Sequence, residues 1–366
     1  MNRIKKKVAL FGHGSDLKHF DEYIHGLNSG TRKYSDALKA KIMEWTPSYV
    51  HKKFDTIIST KEVNVSAFHV ITTFFPKMLT SGLKNAFKKI EQSFDAAIKE
   101  GVDIISLGGF TSIICIGKEK QLVDRYKVPV TSGNTLTAAI VINQIEQLSV
   151  LLDKPLENAT VAIIGGSGDI GSGCALALSN RVKKIILSAR GLNRLEKIAA
   201  NLQYQSKSEI EITTNNNDAI RFADIIVSTA STEEATIMCD YIPSGAIVLD
   251  VSYPKSLSHS ISKRNDIFAF IGGVAKMPVS MDFGYSIGLP SVEILYGCYA
   301  EGLVLALEGI KEIFSHGRGN ITVEKMDFIY SAAQKHGINA ALYSISQCNL
   351  IDKDDLFKIK EKVSWN

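Results

Sequence analysis

The run Thr160-Val-Ala-Ile-Ile-Gly165-Gly-Ser-Gly168-Asp-Ile-Gly171 is a hydrophobic stretch that opens into GxxGxxG and continues into a helical pattern from Ser172 to Ser179. A pyrophosphate needs free backbone amides at a helix N-terminus, reached through a turn with no side chains in the way, and this order provides both. The candidate contacts to a dinucleotide are Gly165, Ser167, Gly168, Asp169, Ile170 and Gly171, with Thr229 and Ala230 at the end of a later strand. A second strand arrives at the right distance. Its end, where an NAD-binding chain places Asp or Glu against the ribose 2′-hydroxyl, reads Ser188-Ala189-Arg190, with Arg194 one turn further on. A guanidinium forks onto a phosphate, and no carboxylate stands nearby to repel it, so NADPH is the expected cofactor. The plainer alternative makes Arg190 a solvated arginine at a helix start.

A cofactor does not name a reaction. A lysine does not stand four residues after Tyr126, Tyr253, Tyr296 or Tyr330, where Val130, Leu257, Ala300 and Gln334 are found, so these tyrosines form no Tyr-x-x-x-Lys reductase pair. His13, His19 and His25 are six apart and fall on different faces of any helix, which offers no zinc site. A cysteine or a lysine mechanism is left. Cys298 lies in Tyr296-Gly297-Cys298-Tyr299-Ala300-Glu301-Gly302, and the small residues on both sides leave space for a substrate to approach the sulfur. Spacing alone also fits a small buried hydrophobe, because reactivity depends on thiolate character and exposure.

These residues need strand ends and helix starts to hold them. From residue 158 onward, β-branched runs alternate with helical stretches: Thr160 to Ile164, Lys184 to Ser188, Glu209 to Thr213, Asp224 to Thr229, Ala246 to Val251 and Ile267 to Ile271. Six such strands predict a doubly wound parallel sheet, a Rossmann NADP-binding domain over residues 151–285. Residues 1–150 also read as α/β, with strands at Lys7 to Phe11, around Val63 to Thr73, Asp103 to Leu107 and Lys127 to Thr131, and an amphipathic helix over Pro76 to Glu100. This is the expected substrate domain. Residues 286–366 complete the chain as a helical segment carrying Cys298, with helices over Pro290 to Phe314 and Val323 to Gly337 and a polar tail of no assigned role. Three strand ends run into Gly-Gly, at Gly108, Gly165 and Gly272, where a backbone can approach a ligand closely or simply turn.

With 366 residues, 45% of them hydrophobic and 22% charged, the chain has the composition of a folded protein of two or three domains. A net charge of +4 without a basic stripe interleaved with aromatics excludes a nucleic-acid footprint. The longest apolar stretches, such as Gly302 to Leu307, fall far short of the ~18 residues of a membrane span. The apolar stretch Val8 to Phe11 after Lys5 to Lys7 is shorter than the ~7 residues of the smallest signal-peptide core. Five cysteines spaced at least fifty residues apart suit reduced thiols in a cytoplasm.

Seven motifs, taken together and in order, resemble the aldehyde-forming long-chain acyl-(acyl carrier protein) reductases: Leu107-Gly-Gly-Phe110-Thr-Ser112, Thr131-Ser-Gly133-Asn134-Thr135, Gly165 to Gly171, Ser188-Ala-Arg190, Val251-Ser-Tyr253-Pro254-Lys255, Gly297-Cys298-Tyr-Ala-Glu301 and His316-Gly317-Arg318-Gly-Asn320. The likeness runs from about Leu10 to Gly337. It implies NADPH-dependent reduction of a fatty acyl thioester to the aldehyde, with the acyl group carried on Cys298. Ser112, Asn134 and Thr135 are then expected to bind the thioester carbonyl or orient the acyl group, ordinary turn chemistry being the alternative. The expected partner is an acyl carrier protein or coenzyme A thioester. Lys77, Lys84, Lys88 and Lys89 would meet an acidic carrier. The family carries Trp where His316 stands, so His316 is given no catalytic role. Two other readings compete: a shikimate-type or methylene-tetrahydrofolate-type dehydrogenase acting on a small polar substrate through a lysine, and an NADPH-binding sensor with no nucleophile.

Overall fold

The computed structural model describes residues 4–14, 20–21, 34–60, 63–80, 86–230, 237–253, 257, 261 and 264–351. The chain divides into two compact units: one of Met1–Asn134, Lys276–Gly317 and Ser331–Asn339, the other of Thr135–Ala275, Arg318–Tyr330 and Ala340–Asn366. The boundaries expected at residues 150 and 285 are therefore not where the chain parts. The Cys298 segment is no separate domain, because its helix packs on strands built from the first part of the chain.

The first unit holds a five-stranded sheet of β1 (Ile4–Gly12), β2 (Tyr49–Thr60), β3 (Val63–Ile71), β4 (Ile104–Leu107) and β5 (Val130–Thr131), in the order β2-β3-β1-β4-β5. Pairing is parallel except for β2, which runs antiparallel to β3. The hydrophobic pattern does not announce β2, since exposed Lys53 and Asp55 interrupt it, and charge of that kind is what an edge strand tolerates. The helix expected over Pro76 to Glu100 is two, Pro76–Thr80 and Ala86–Lys99, and residues 81–85, with Lys84, lie outside the described residues. Ile90, Phe94 and Ala97 recur at helical spacing and are buried under the sheet, where Phe94 meets Phe11 edge to face at 5.3 Å. On the sheet's other side lies the helix Gly297–Glu308, preceded by a short strand, Ile294–Tyr296, rather than by the longer helix expected from Pro290. A β-carbon on Gly302 would stand 2.6 Å from Ser106 Cβ, so glycine lets this helix lie directly on β4.

The second unit contains all six expected strands: β6 (Thr160–Ile164), β7 (Lys184–Ser188), β8 (Glu209–Thr213), β9 (Ile225–Ser228), β10 (Ile247–Asp250) and β11 (Phe268–Ile271). Their order, β11-β10-β9-β6-β7-β8, is that of a doubly wound parallel sheet with its reversal between β6 and β9. Among the described residues, the chain after Gly337 is not helical. A hairpin of Tyr343–Ser344 and Asn349–Leu350 extends the sheet antiparallel to β11. Buried Gln144 donates to the carbonyls of Ile271 and Ala341 and accepts from Gly273 N–H, which fixes the third Gly-Gly turn as a packing element.

Candidate active site

In the second unit, β6 enters Gly165 at φ +80°, where a β-carbon would meet Ala230 N and Thr229 Oγ1 at 2.9 Å. The N–H groups of Gly165 and Gly166 both donate to Ser188 O, at 2.8 and 3.0 Å, and Gly168 N–H returns to Gly165 O at 2.8 Å. Gly168 caps the helix Asp169–Leu178, and a β-carbon on Gly171 would fall 2.6 Å from Gly165 O. The glycines thus fold the loop onto the helix start. First-turn amides have no intrahelical acceptor, and the helix dipole adds positive potential there, so a pyrophosphate fits. Thr229 N–H and Oγ1 both donate to Ile164 O, at 2.8 and 2.9 Å, so Thr229 shapes the loop from the neighbouring strand. Ser167 and Ile170 are half-buried on it. Asp169 Oδ1 accepts from Gly319 N–H at 3.1 Å, drawing the Arg318-Gly319-Asn320 turn onto the helix start. Arg190 is exposed at the end of β7 and forms no ion pair among the described residues, which leaves its guanidinium available to a ribose 2′-phosphate.

In the first unit, Cys298 is the second residue of its helix and is half-buried. The backbone N–H groups of Gly109 and Tyr299 act to lower the thiol's pKa. Ser106 Oγ donates to Cys298 O at 2.6 Å, tying the helix start to β4. Gly133, at φ +73°, lies flat on the Cys298 backbone, and no side chain could replace its hydrogen. Glu301, one turn on, is fully buried and accepts from Ser315 Oγ at 2.6 Å and from Thr131 Oγ1, so it clamps the Gly133 loop against the helix. Burial pushes the Cys298 thiol up to about 12, and the Glu301 carboxylate adds to this, against the pull of the two N–H groups. Burial therefore makes the Cys298 thiol hold its proton more tightly than a free cysteine does.

The other expected contacts divide. Ser112 Oγ donates to Gly109 O at 2.7 Å, so its proton is spent on a local turn beside the thiol. Asn134 follows Gly133 and is half-buried. Thr135 is fully buried. Lys89 is no docking residue: it is 6% exposed, and its ammonium donates to the carbonyls of Met43, Glu44 and Thr46, which end the helix Asp36–Trp45. Lys88 is exposed. The spacing Tyr-x-x-x-Lys does occur at Tyr49 and Lys53, but on β2, where four residues span ~13 Å and the two groups cannot act as a pair. Gly133, which rests on the Cys298 backbone, and Glu301, which clamps that turn, are legible in the sequence only as parts of motifs.

A family model described as NADP oxidoreductase coenzyme F420-dependent matches residues 160–254. The chain is 31% identical over 308 residues to the long-chain acyl-[acyl-carrier-protein] reductase of Synechococcus elongatus, covering 79% of this chain and 87% of that protein. It is 30% identical over 258 residues to aminotransferase PigE of a Serratia species, covering 68% of this chain but 29% of that protein. Among solved structures, L-tryptophan dehydrogenase from Nostoc punctiforme matches with a TM-score of 0.38 at 12% identity, covering 98% of this chain and 87% of that chain. No helix among the described residues is long and apolar enough to cross a membrane. The chain is an NADPH-dependent reductase. By sequence, it belongs to the long-chain acyl-[acyl-carrier-protein] reductase family.

Proposed function

We propose that this protein reduces a long-chain fatty acyl thioester, carried by acyl carrier protein or coenzyme A, to the fatty aldehyde through an acyl-enzyme on Cys298. The observation that carries this reading is the setting of the thiol: half-buried as the second residue of its helix, with the Gly133 turn folded directly onto its backbone.

On attack, Cys298 Sγ bonds to the thioester carbonyl carbon and loses its proton, and the carrier sulfur leaves and takes up a proton as the free thiol. The start of the helix Gly297–Glu308 stabilises sulfur anion at both the formation and the breakdown of the acyl-enzyme. Asn134, next to Gly133, and Ser112, bonded to the Gly109 carbonyl, orient the acyl group; Thr135 is fully buried. The first-turn amides of Asp169, Ile170 and Gly171 would hold the cofactor pyrophosphate, the Gly165 and Gly168 turn would admit it, and Arg190 would pair with its 2′-phosphate. A nicotinamide cofactor held there would supply a hydride to the acyl carbon and leave as NADP+, and with one proton taken up from water the C–S bond breaks to give the aldehyde and the Cys298 thiol.

The test is to incubate the protein with a long-chain acyl thioester in the absence of NADPH and measure its intact mass. An adduct of one acyl group that is absent in Cys298→Ser is expected. An unmodified chain, or an adduct that survives the substitution, would refute the acyl-enzyme.

A further inference from the structure

Two hydroxyls hold the turn Thr131-Ser132-Gly133 in place. Thr131 Oγ1 donates to Glu301 and accepts from the N–H groups of Gly133 and Ser315, at 3.2 and 3.3 Å. Ser315 Oγ donates to the same Glu301 oxygen at 2.6 Å. The Ser132 N–H in turn donates to Ser315 O at 2.9 Å, so the backbone is tied both at Ser132 and at the residue after it. The Ser132 side chain differs from its neighbours. It is 6% exposed, and its Oγ has no hydrogen-bond partner among the described residues.

A serine hydroxyl turns freely about one bond and takes any acceptor within reach, so a buried one without a partner is unfavourable and asks for a reason. Its place in the fold supplies one. Gly133, the next residue, lies on the nucleophile: a β-carbon there would stand 2.1 Å from Cys298 Cα and 2.6 Å from Cys298 O. Consecutive Cα atoms are about 3.8 Å apart, which puts Ser132 a single residue from that contact. A thioester carbonyl attacked by the Cys298 sulfur gathers negative charge on its oxygen and needs a donor there. Ser106, Thr131 and Ser315, the hydroxyls bonded to the Cys298 helix, all give their protons to that helix. Ser132 keeps its own.

We infer that Ser132 is a catalytic residue of the thioester reaction: its hydroxyl donates to the carbonyl oxygen of the acyl thioester. The inference deepens the reading of Cys298 as nucleophile and rests on it. As the Cys298 sulfur bonds to the acyl carbon, the carbonyl electron pair moves onto oxygen, where the Ser132 O–H meets it. The pair then returns to re-form the carbonyl, and the carrier sulfur leaves with the proton that Cys298 lost. Ser132 donates a hydrogen bond throughout and transfers no proton.

The experiment compares full-length Ser132→Ala with wild type in three measurements: kcat/KM for NADPH oxidation with a long-chain acyl-coenzyme A, the rate of Cys298 alkylation by iodoacetamide resolved by peptide mass spectrometry, and the urea midpoint of the ligand-free protein. Loss of one such donor should lower kcat/KM by about 100-fold or more. Alkylation attacks no carbonyl and should stay within about twofold of wild type. The urea midpoint should be unchanged or higher, because deleting a buried hydroxyl that has no partner removes nothing the folded chain uses. A wild-type kcat/KM would make Ser132 a turn residue bonded to water, and would overturn the inference. So would a loss that alkylation shares, which would mean a displaced sulfur, or a lower urea midpoint, which would mean a structural hydroxyl. Should wild type turn over the thioester with no acyl adduct, and Ser132→Ala still lose that activity with the other two measurements unmoved, the acyl-enzyme would fall and the Ser132 donor would stand.

Discussion

The Cα of Cys298 lies 2.1 Å from the point where a β-carbon on Gly133 would stand, and the Cys298 Cβ lies 2.5 Å from it. The two backbones are in contact, and the Glu301 clamp on Thr131 and Ser315 keeps them so. Gly133→Ala must therefore displace the sulfur, and φ +73° adds backbone strain to the clash. Single-turnover aldehyde formation should fall by about 100-fold, the loss typical of a misplaced reacting group. NADPH affinity, a property of the other unit, should change by less than about twofold in a fluorescence titration.

The thiol's pH dependence follows from its burial. An acid held up at about 12 keeps its proton as pH rises, so its thiolate fraction climbs throughout the neutral and mildly alkaline range. Alkylation of Cys298 should accelerate about tenfold per unit from roughly pH 7 to pH 10 without levelling. A plateau below pH 9 would mean that the Gly109 and Tyr299 N–H groups outweigh burial.

Arg190 is exposed and without an ion pair among the described residues, so its removal disturbs no packing. Arg190→Ala should raise the dissociation constant for NADPH by about 10- to 100-fold, as expected for loss of a charge-assisted contact, and leave that for NADH unchanged. Equal weakening of both would place Arg190 on a part that the two cofactors share.

Lys89 separates structural from docking lysines. Its ammonium donates to three carbonyls at 3.1, 2.7 and 2.6 Å, and burial holds it below the usual lysine range. Lys89→Met should lower stability in urea unfolding by about 2–3 kcal/mol while leaving the KM ratio for carrier-bound and coenzyme A substrates unaltered. Lys88→Glu, at an exposed position, should cost less than about 0.5 kcal/mol and raise the KM for the carrier-bound substrate alone. A stable Lys89→Met with weakened carrier binding would contradict this division.

The nucleotide half of the fold is legible in the sequence because its signals are local. β6, β7 and β8 begin and end where the β-branched runs do, and the glycine turn states its own purpose. The thiol half is not, because its geometry is made of contacts between distant residues. Nothing in the spacing shows that Gly133 rests on Cys298, or that His69 and Tyr299 share the space beside Gly12. β2 is hidden by its charges, and the register shift between Val50 and Lys52 puts His51 beside His69 in a way that alternation does not foretell. Lys89 reads as a surface lysine because a helix wheel shows its polar side but not the helix end packed over it. The tail after Gly337 joins a sheet edge through two-residue strands, too short to leave a pattern.

The central claim is that the acyl group on Cys298 is the species reduced. Purified acyl-enzyme, freed of thioester and carrier, should on addition of NADPH lose its adduct and yield about one equivalent of fatty aldehyde, with one equivalent of NADPH oxidised. An adduct that persists under NADPH, or that departs as free fatty acid without NADPH oxidation, would contradict the account.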